Sequence, residues 1–291
     1  YLHFNDSNVP VFPIYSEKGQ HGSLETPRSP PAGDPNPSVK VGIVPVTGGA
    51  TAWADFNEAA DQYFGTPFWT ADSRQLWIQW MNRGQDNLKI YSIDPQSGAK
   101  KEIYDEKQKT WIDWFEAVPF LKNNEGFLLQ SDKSGWSHLY LYNMDGSLKK
   151  QLTSGNWTVK AVEGIDEARQ VVYFTARKEV STRFDLYKVS MKSGEITRLT
   201  RGGYNNVIKM SPGGKYFITT YSNLQTPPRM ALMDNNGKLV RELGNSKGPR
   251  FDDYNLARTT LKTYKTRDGL ELPLTITMPL HMEAVKKYPI L

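Results

Sequence analysis

The sequence predicts an all-β fold, a partial β-propeller of about five four-stranded blades, and three observations lead there. Short apolar strands run into turns whose glycines fall at 48, 98, 146, 194 and 237, a spacing of 50, 48, 48 and 43 residues. Each unit keeps one internal order: an apolar strand, a polar loop, the strand before the turn, and a short exit strand. Helical patterning is nearly absent, since Asn57-Glu58-Ala59-Ala60-Asp61 amounts to one turn at most. A sandwich also has frequent turns, but gives no reason for a fixed superperiod of about 45 residues.

Taken in order, the first copy is Val39-Lys40-Val41-Gly42-Ile43-Val44 before Gly48-Gly49. The strands before the later turns are Leu88–Tyr91, Leu139–Tyr142, Leu186–Val189 and Met230–Met233. Leu76–Trp80, Phe127–Leu129, Val171–Phe174 and Tyr216–Ile218 supply the preceding apolar strands. Lys150–Thr153 and Thr197–Thr200 are exit strands. Asx-Gly and Ser-Gly steps between β-branched and aromatic runs are hairpin signals.

Both ends depart from the repeat. Residues 10–38 hold Pro10, Pro13, Pro27, Pro30, Pro31, Pro35 and Pro37, too many for central strands, and predict an extended arm. Near the other end, Thr259–Thr266 and Leu270–Met278 flank Arg267-Asp268-Gly269 as a hairpin, with Leu270, Leu272, Leu274 and Ile276 on one face. Lys286–Leu291 then reads as the start of a new apolar strand. The expected division is therefore a propeller over 1–255 and a second segment over 256–291. With no initiator methionine before Tyr1 and a strand broken off at Leu291, the chain is expected to be a piece of a longer protein.

Composition narrows the function. Trp 8, Tyr 15 and Phe 12 can fill a core, which argues against disorder. The longest purely apolar runs, such as Val171–Phe174, are four residues, so no membrane-spanning helix is expected. The net charge of +5 comes with lysine doublets on three separate segments, and no nucleic-acid partner is expected. Zero cysteines exclude disulfides, thiolate nucleophiles and Cys-based zinc sites.

Apparent motifs fail on chemistry. No pair among His3, His21, His138 and His281 has zinc-helix spacing. Gly135-Trp136-Ser137-His138-Leu139 lacks the second glycine that a nucleophile elbow requires. Asp105 and Glu116 stand at the ends of a calcium-loop spacing, but Lys107 and Lys109 occupy ligand positions and Thr110 the glycine position. Gly213-Gly214-Lys215-Tyr216 lacks the parts of a phosphate loop. No metal, cofactor or catalytic residue is expected in the chain. Trp111-Ile112-Asp113-Trp114-Phe115-Glu116 breaks the repeat with aromatics and carboxylates on a connection between blades. Asp113, Trp114, Phe115 and Glu116 are the candidate substrate-binding residues, the alternative being that the aromatics pack blade against blade.

Several segments carry a family likeness. Phe4-Asn5-Asp6-Ser7-Asn8-Val9-Pro10, and Pro31-Ala32-Gly33-Asp34-Pro35-Asn36-Pro37 running into Val39-Lys40-Val41, resemble the dipeptidyl peptidase IV family of serine exopeptidases. Trp136–Tyr142, Leu152–Trp157 and Val172–Ala176 look like its successive blades. Met278-Pro279-Leu280-His281 and Lys286-Lys287-Tyr288-Pro289 look like its junction with a hydrolase domain. Ser29 stands where a tyrosine usually precedes the Pro-x-Ala-Gly step.

The resemblance implies a bacterial-type relative with an eight-bladed propeller and a C-terminal α/β-hydrolase domain, so 256–291 is expected to be the crossover hairpin and first strand of that domain. It implies release of N-terminal di- or tripeptides after proline or alanine, peptide substrates and a periplasmic or exported location. Separately, a propeller without its first blades leaves strand edges bare, so contacts between copies, a homo-oligomer, are expected at that edge. The family's acidic amine-binding pair would precede Tyr1, and its oxyanion tyrosine, elbow serine, aspartate and histidine would follow Leu291. Within the chain, Phe115 matches a substrate-contacting aromatic, while Glu116 stands where an arginine would be. The rival reading is a non-catalytic propeller acting as a protein-interaction scaffold.

Overall fold

The repeat glycines have a steric reason. In the computed structural model, which describes residues 1–283 and 285–289, the five turn glycines have φ between +75° and +89°. A Cβ at Gly146 would collide with the Ile103 carbonyl oxygen, and one at Gly98 with that of Trp53. At Gly98, Gly146 and Gly237 the turn presses bare backbone against a carbonyl of the preceding blade, an approach that a side chain forbids, whereas Gly48 has open space around it.

The chain begins with β1 (Leu2–Asn5), β2 (Ile14–Ser16), β3 (Ser23–Glu25), β4 (Ser38–Ile43) and β5 (Ala52–Trp53). β1, β4 and β5 form the first sheet, while β2 and β3 make a separate hairpin within the proline-rich arm. The second sheet holds β6 (Gln62–Phe64), β7 (Phe68–Trp69), β8 (Leu76–Asn82), β9 (Asn87–Ile93) and β10 (Lys100–Lys107). Its order is β10-β9-β8-β6, with β7 also paired to β8. β11 (Phe127–Ser131), β12 (His138–Tyr142) and β13 (Leu148–Gln151) form the third.

Two sheets then show the predicted four-strand path in chain order. One holds β14 (Thr158–Asp166), β15 (Val171–Arg177), β16 (Asp185–Ser190) and β17 (Ile196–Arg198). The other holds β18 (Asn205–Met210), β19 (Tyr216–Ser222), β20 (Arg229–Asp234) and β21 (Leu239–Asn245). A hairpin of β22 (Thr259–Lys265) and β23 (Glu271–Thr277) follows. Successive small antiparallel sheets that do not close make this a partial propeller. Among the described residues the helical content is three short 3₁₀ turns, Lys122–Asn124, Pro212–Gly214 and Pro249–Asp253.

The early sheets differ from the regular expectation. The third has three strands, because the chain ahead of β11 carries Pro119, which has no N–H for a ladder. What remains there is a bridge between Phe120 and Phe127 and a bond from the Leu128 N–H to the Pro119 carbonyl at 2.9 Å. The expected strand at 286–291 is not seen over 286–289. Ile290 and Leu291 lie outside the described residues.

The chain forms two compact units, Tyr1–Lys133 with Tyr140–Lys150, and Ser134–Leu139 with Gln151–Leu291. The first has a core of Trp77, Met81, Leu88, Ile90, Phe127 and Leu129 with their neighbours. The second packs Tyr173, Leu186, Leu199 and Phe217, joined by Ile208, Met210 and Met233. A buried polar pin recurs within it at a 47-residue interval. Thr153 Oγ1 accepts the Leu139 N–H at 2.9 Å beside His138, and Thr200 Oγ1 accepts the Leu186 N–H at 3.1 Å beside Asp185. Such pins satisfy strand-start amides that water cannot reach.

Candidate functional site

The connection between β10 and β11 is the segment that departs most from the repeat, and side chains of the second sheet hold it. Gln79 is fully buried; its Nε2 donates to the Phe115 carbonyl at 3.0 Å and its Oε1 accepts the Phe115 N–H at 2.8 Å. The amide pairs with the backbone as a strand would, so residue 115 is fixed although it belongs to no strand. Upstream, the Ile112 N–H donates to the Gln85 carbonyl at 2.8 Å and the Gln108 N–H to that of Asp86 at 3.0 Å.

This anchoring separates the predicted site residues. Phe115 turns inward, buried, with its ring edge-on to Tyr104 at 5.8 Å. Trp114 is half-buried and lies so close over Gly65 that a Cβ there would meet its ring at 2.7 Å. Asp113 and Glu116 are exposed, as is Trp111. Neither carboxylate makes an ion pair among the described residues.

Trp114 forms one wall of a cavity of about 210 Å³, completed by Phe4, Val39, Tyr63, Phe64 and Gln85. These residues come from β1, β4, β6 and the turn after β8. Beside Tyr63, Asn36 Nδ2 donates to the Tyr63 hydroxyl at 2.8 Å and to Asp61 Oδ1 at 2.9 Å. Arg83 Nη1 donates to Asp61 Oδ2 at 2.8 Å, and Arg83 Nη2 to the Asp34 carbonyl at 2.8 Å. The Arg83 hydrogen bond holds the Asp61 carboxyl below the usual carboxylate range. Gln85 has φ of +55°, a left-handed conformation that non-glycine residues rarely take. The arrangement offers a slot with apolar walls and polar groups from Tyr63 and Gln85, a paired-charge rim, and two unpaired carboxylates on the adjoining connection.

Asn36, Asp61, Tyr63, Arg83 and Gln85 are absent from the sequence-based site. The signal for them was faint: a polar run, Asn82-Arg83-Gly84-Gln85-Asp86-Asn87, that reads as an ordinary hairpin loop. In the second unit, His138 Nδ1 lies 3.1 Å from Thr153 Oγ1, which in an open cleft would suggest a base and its nucleophile. His138 is 1% exposed and its Nε2 is engaged by the Gly155 carbonyl at 2.9 Å, so the pair is a structural pin that no substrate reaches.

Comparison with known proteins identifies relatives over the whole chain. A family model described as the dipeptidyl peptidase IV (DPP IV) N-terminal region matches residues 1–228. The probable dipeptidyl peptidase 4 of Emericella nidulans is 28% identical over 316 residues, taking in 100% of this chain and 41% of the relative. Dipeptidyl peptidase 4 of Trichophyton rubrum is 27% identical over 315 residues, with 100% and 40% covered. The crystal structure of Porphyromonas gingivalis dipeptidyl peptidase 4 superposes with a TM-score of 0.88 at 28% identity, over 99% of this chain and 41% of that one. A Bacteroides ovatus structure gives a TM-score of 0.86 at 25% identity, over 99% and 44%. The similarity thus reaches fungal sequences as well as bacterial structures. The chain spans about two fifths of the length of the curated relatives it matches.

Proposed function

Since this chain belongs to the family of the dipeptidyl peptidase IV N-terminal region, we propose that it is the substrate-gating propeller of a serine exopeptidase releasing N-terminal di- or tripeptides after proline or alanine. In this reading 1–255 is the propeller portion, and 256–291 leads through the β22–β23 hairpin into an α/β-hydrolase domain that carries the serine, aspartate and histidine. The protein acts outside the cytoplasm, in the periplasm or exported. The propeller restricts passage so that peptide ends reach the serine, and selectivity comes from length exclusion and capture of the free amine.

The observation that carries this reading is the cavity beside the 111–116 connection. Its apolar walls, Trp114, Phe64, Val39 and Phe4, suit an uncharged peptide side chain. Asp113 and Glu116, exposed and without ion-pair partners among the described residues, suit a cationic peptide end through a water-screened attraction. Asp61 is already committed to Arg83 and is not counted among them.

The test is kinetic, in the full-length enzyme. Trp114→Ala should lower kcat/KM for short proline-containing peptides by roughly tenfold, about 1.4 kcal/mol, with folding intact. Unchanged kinetics in a folded variant would return the cavity to a packing role. A full-length protein without peptidase activity would favour the interaction scaffold instead.

A further inference from the structure

One end of the second unit gathers cations onto aromatic rings. The end of β15 pairs with the start of β14, with Arg177 opposite Thr158, which brings Lys160 and Arg177 to the same end of that sheet. Both lie over a single ring, that of Phe184: Lys160 Nζ is 4.5 Å and Arg177 Cζ 4.4 Å from its centroid. Phe184 is tethered through its backbone. Its N–H donates to Asn205 Oδ1 at 2.9 Å, and its carbonyl accepts the Asn206 N–H and Asn206 Nδ2, each at 3.0 Å. The theme repeats on the flanking turns, where Arg201 Cζ lies 6.0 Å from the Tyr204 ring and Lys178 Nζ 6.0 Å from that of Trp157. Glu179 balances Lys178 at 3.6 Å, whereas Arg177 and Arg201 have no carboxylate at ion-pair distance among the described residues.

A guanidinium held over a ring keeps its N–H edge available, and that fork matches a carboxylate through two charge-assisted hydrogen bonds. Cations already over Phe184, Tyr204 and Trp157 leave less bare ring for stacking, which is what a single-stranded nucleic acid would need. We infer that this end of the second unit docks carboxylate-rich peptide segments, with Arg177 on Phe184 as the anion clamp and Lys160 adding positive charge beside it. The inference stands apart from the peptidase reading, because it concerns binding without hydrolysis.

Fluorescence anisotropy of labelled hexaglutamate on this chain tests it, with hexalysine and an oligothymidylate as competitors. Expected are saturable binding that weakens with added salt, and no competition from hexalysine. The double variant Lys160→Gln/Arg177→Gln should lose roughly tenfold or more in affinity. Arg177→Lys, which keeps the charge but not the fork, should fall between. Arg241→Gln, on β21, should bind as the parent does, and circular dichroism should show every variant folded. Equal hexaglutamate affinity in the parent and the folded double variant would overturn the clamp, as would tighter binding of the oligothymidylate.

Discussion

At the scale of single residues, small side-chain differences decide large effects. Gly146→Ala would have to hold alanine at φ of +89° and also displace the Ile103 carbonyl. The conformation alone costs about 1–2 kcal/mol, so the melting temperature should drop clearly. Gly19, with φ of +82° and open space around it, is the control that separates strain from collision. Phe115→Ala should cost about 3–5 kcal/mol as a buried aromatic truncation, measurable by urea denaturation, whereas Trp114→Ala should act mainly on kinetics. Glu163 gives a pH signature. Burial raises its pKa above 4.5, against the Thr175 hydrogen bond and the nearby Lys160 charge. Its folded pKa therefore exceeds its unfolded one, and the associated stability is present below about pH 4.5 and lost as pH rises through the folded pKa. Glu163→Gln keeps an acceptor for the Thr175 hydroxyl, so the variant should gain on the parent between pH 4.5 and 7. Melts at the two pH values that differ equally in both proteins would contradict this.

At the scale of elements, the connection over 108–121 shows how an irregular segment is made rigid. It has no ladder of its own, yet Gln79, Gln85 and Asp86 on and after β8 take up its backbone groups. Gln79→Leu would remove both bonds to Phe115 and leave its N–H and carbonyl buried and unpaired, a penalty of about 1–3 kcal/mol for each group. Hydrogen exchange should then quicken over 111–116 before it changes in β8. The other pinned element is the end of β10, where the buried Glu106 carboxylate accepts from the Ser131 hydroxyl at 2.8 Å and from Gln108 Nε2 at 2.6 Å. The Tyr104 hydroxyl also donates to it, so three side-chain donors offset the burial of this polar group.

At the scale of the whole molecule, exposed edges and faces dominate. β21 is exposed along its whole length, with Leu239, Val240 and Leu243 open to solvent. Leu270, Leu272 and Leu274, which the alternation of that segment puts on one face, are also open. An uncovered edge strand with apolar side chains recruits further strands. This chain by itself is therefore expected to self-associate with rising concentration, and Val240→Lys to reduce that association. Light scattering that shows a monomer at every concentration would count against it.

Much of the fold was legible in the sequence because its rules are local. A left-handed turn demands glycine, and alternating apolar residues demand a strand. Both leave marks within a few neighbours, which is why the turn glycines, the β22–β23 hairpin and the family likeness could be read directly. Legibility failed where partners are far apart in the chain. Phe115 is held by Gln79, 36 residues away, so no local pattern tells that Phe115 turns inward while Trp114 lines the cavity. Asn36, Asp61 and Arg83 look like ordinary loop residues until strand pairing brings them around Tyr63. Lys160, Arg177 and Phe184 likewise stand on separate segments with no motif in common. Backbone preference and hydrophobic period determined the elements from the sequence alone; the packing of distant segments, which depends on contacts no neighbour encodes, decided the site and the cationic face.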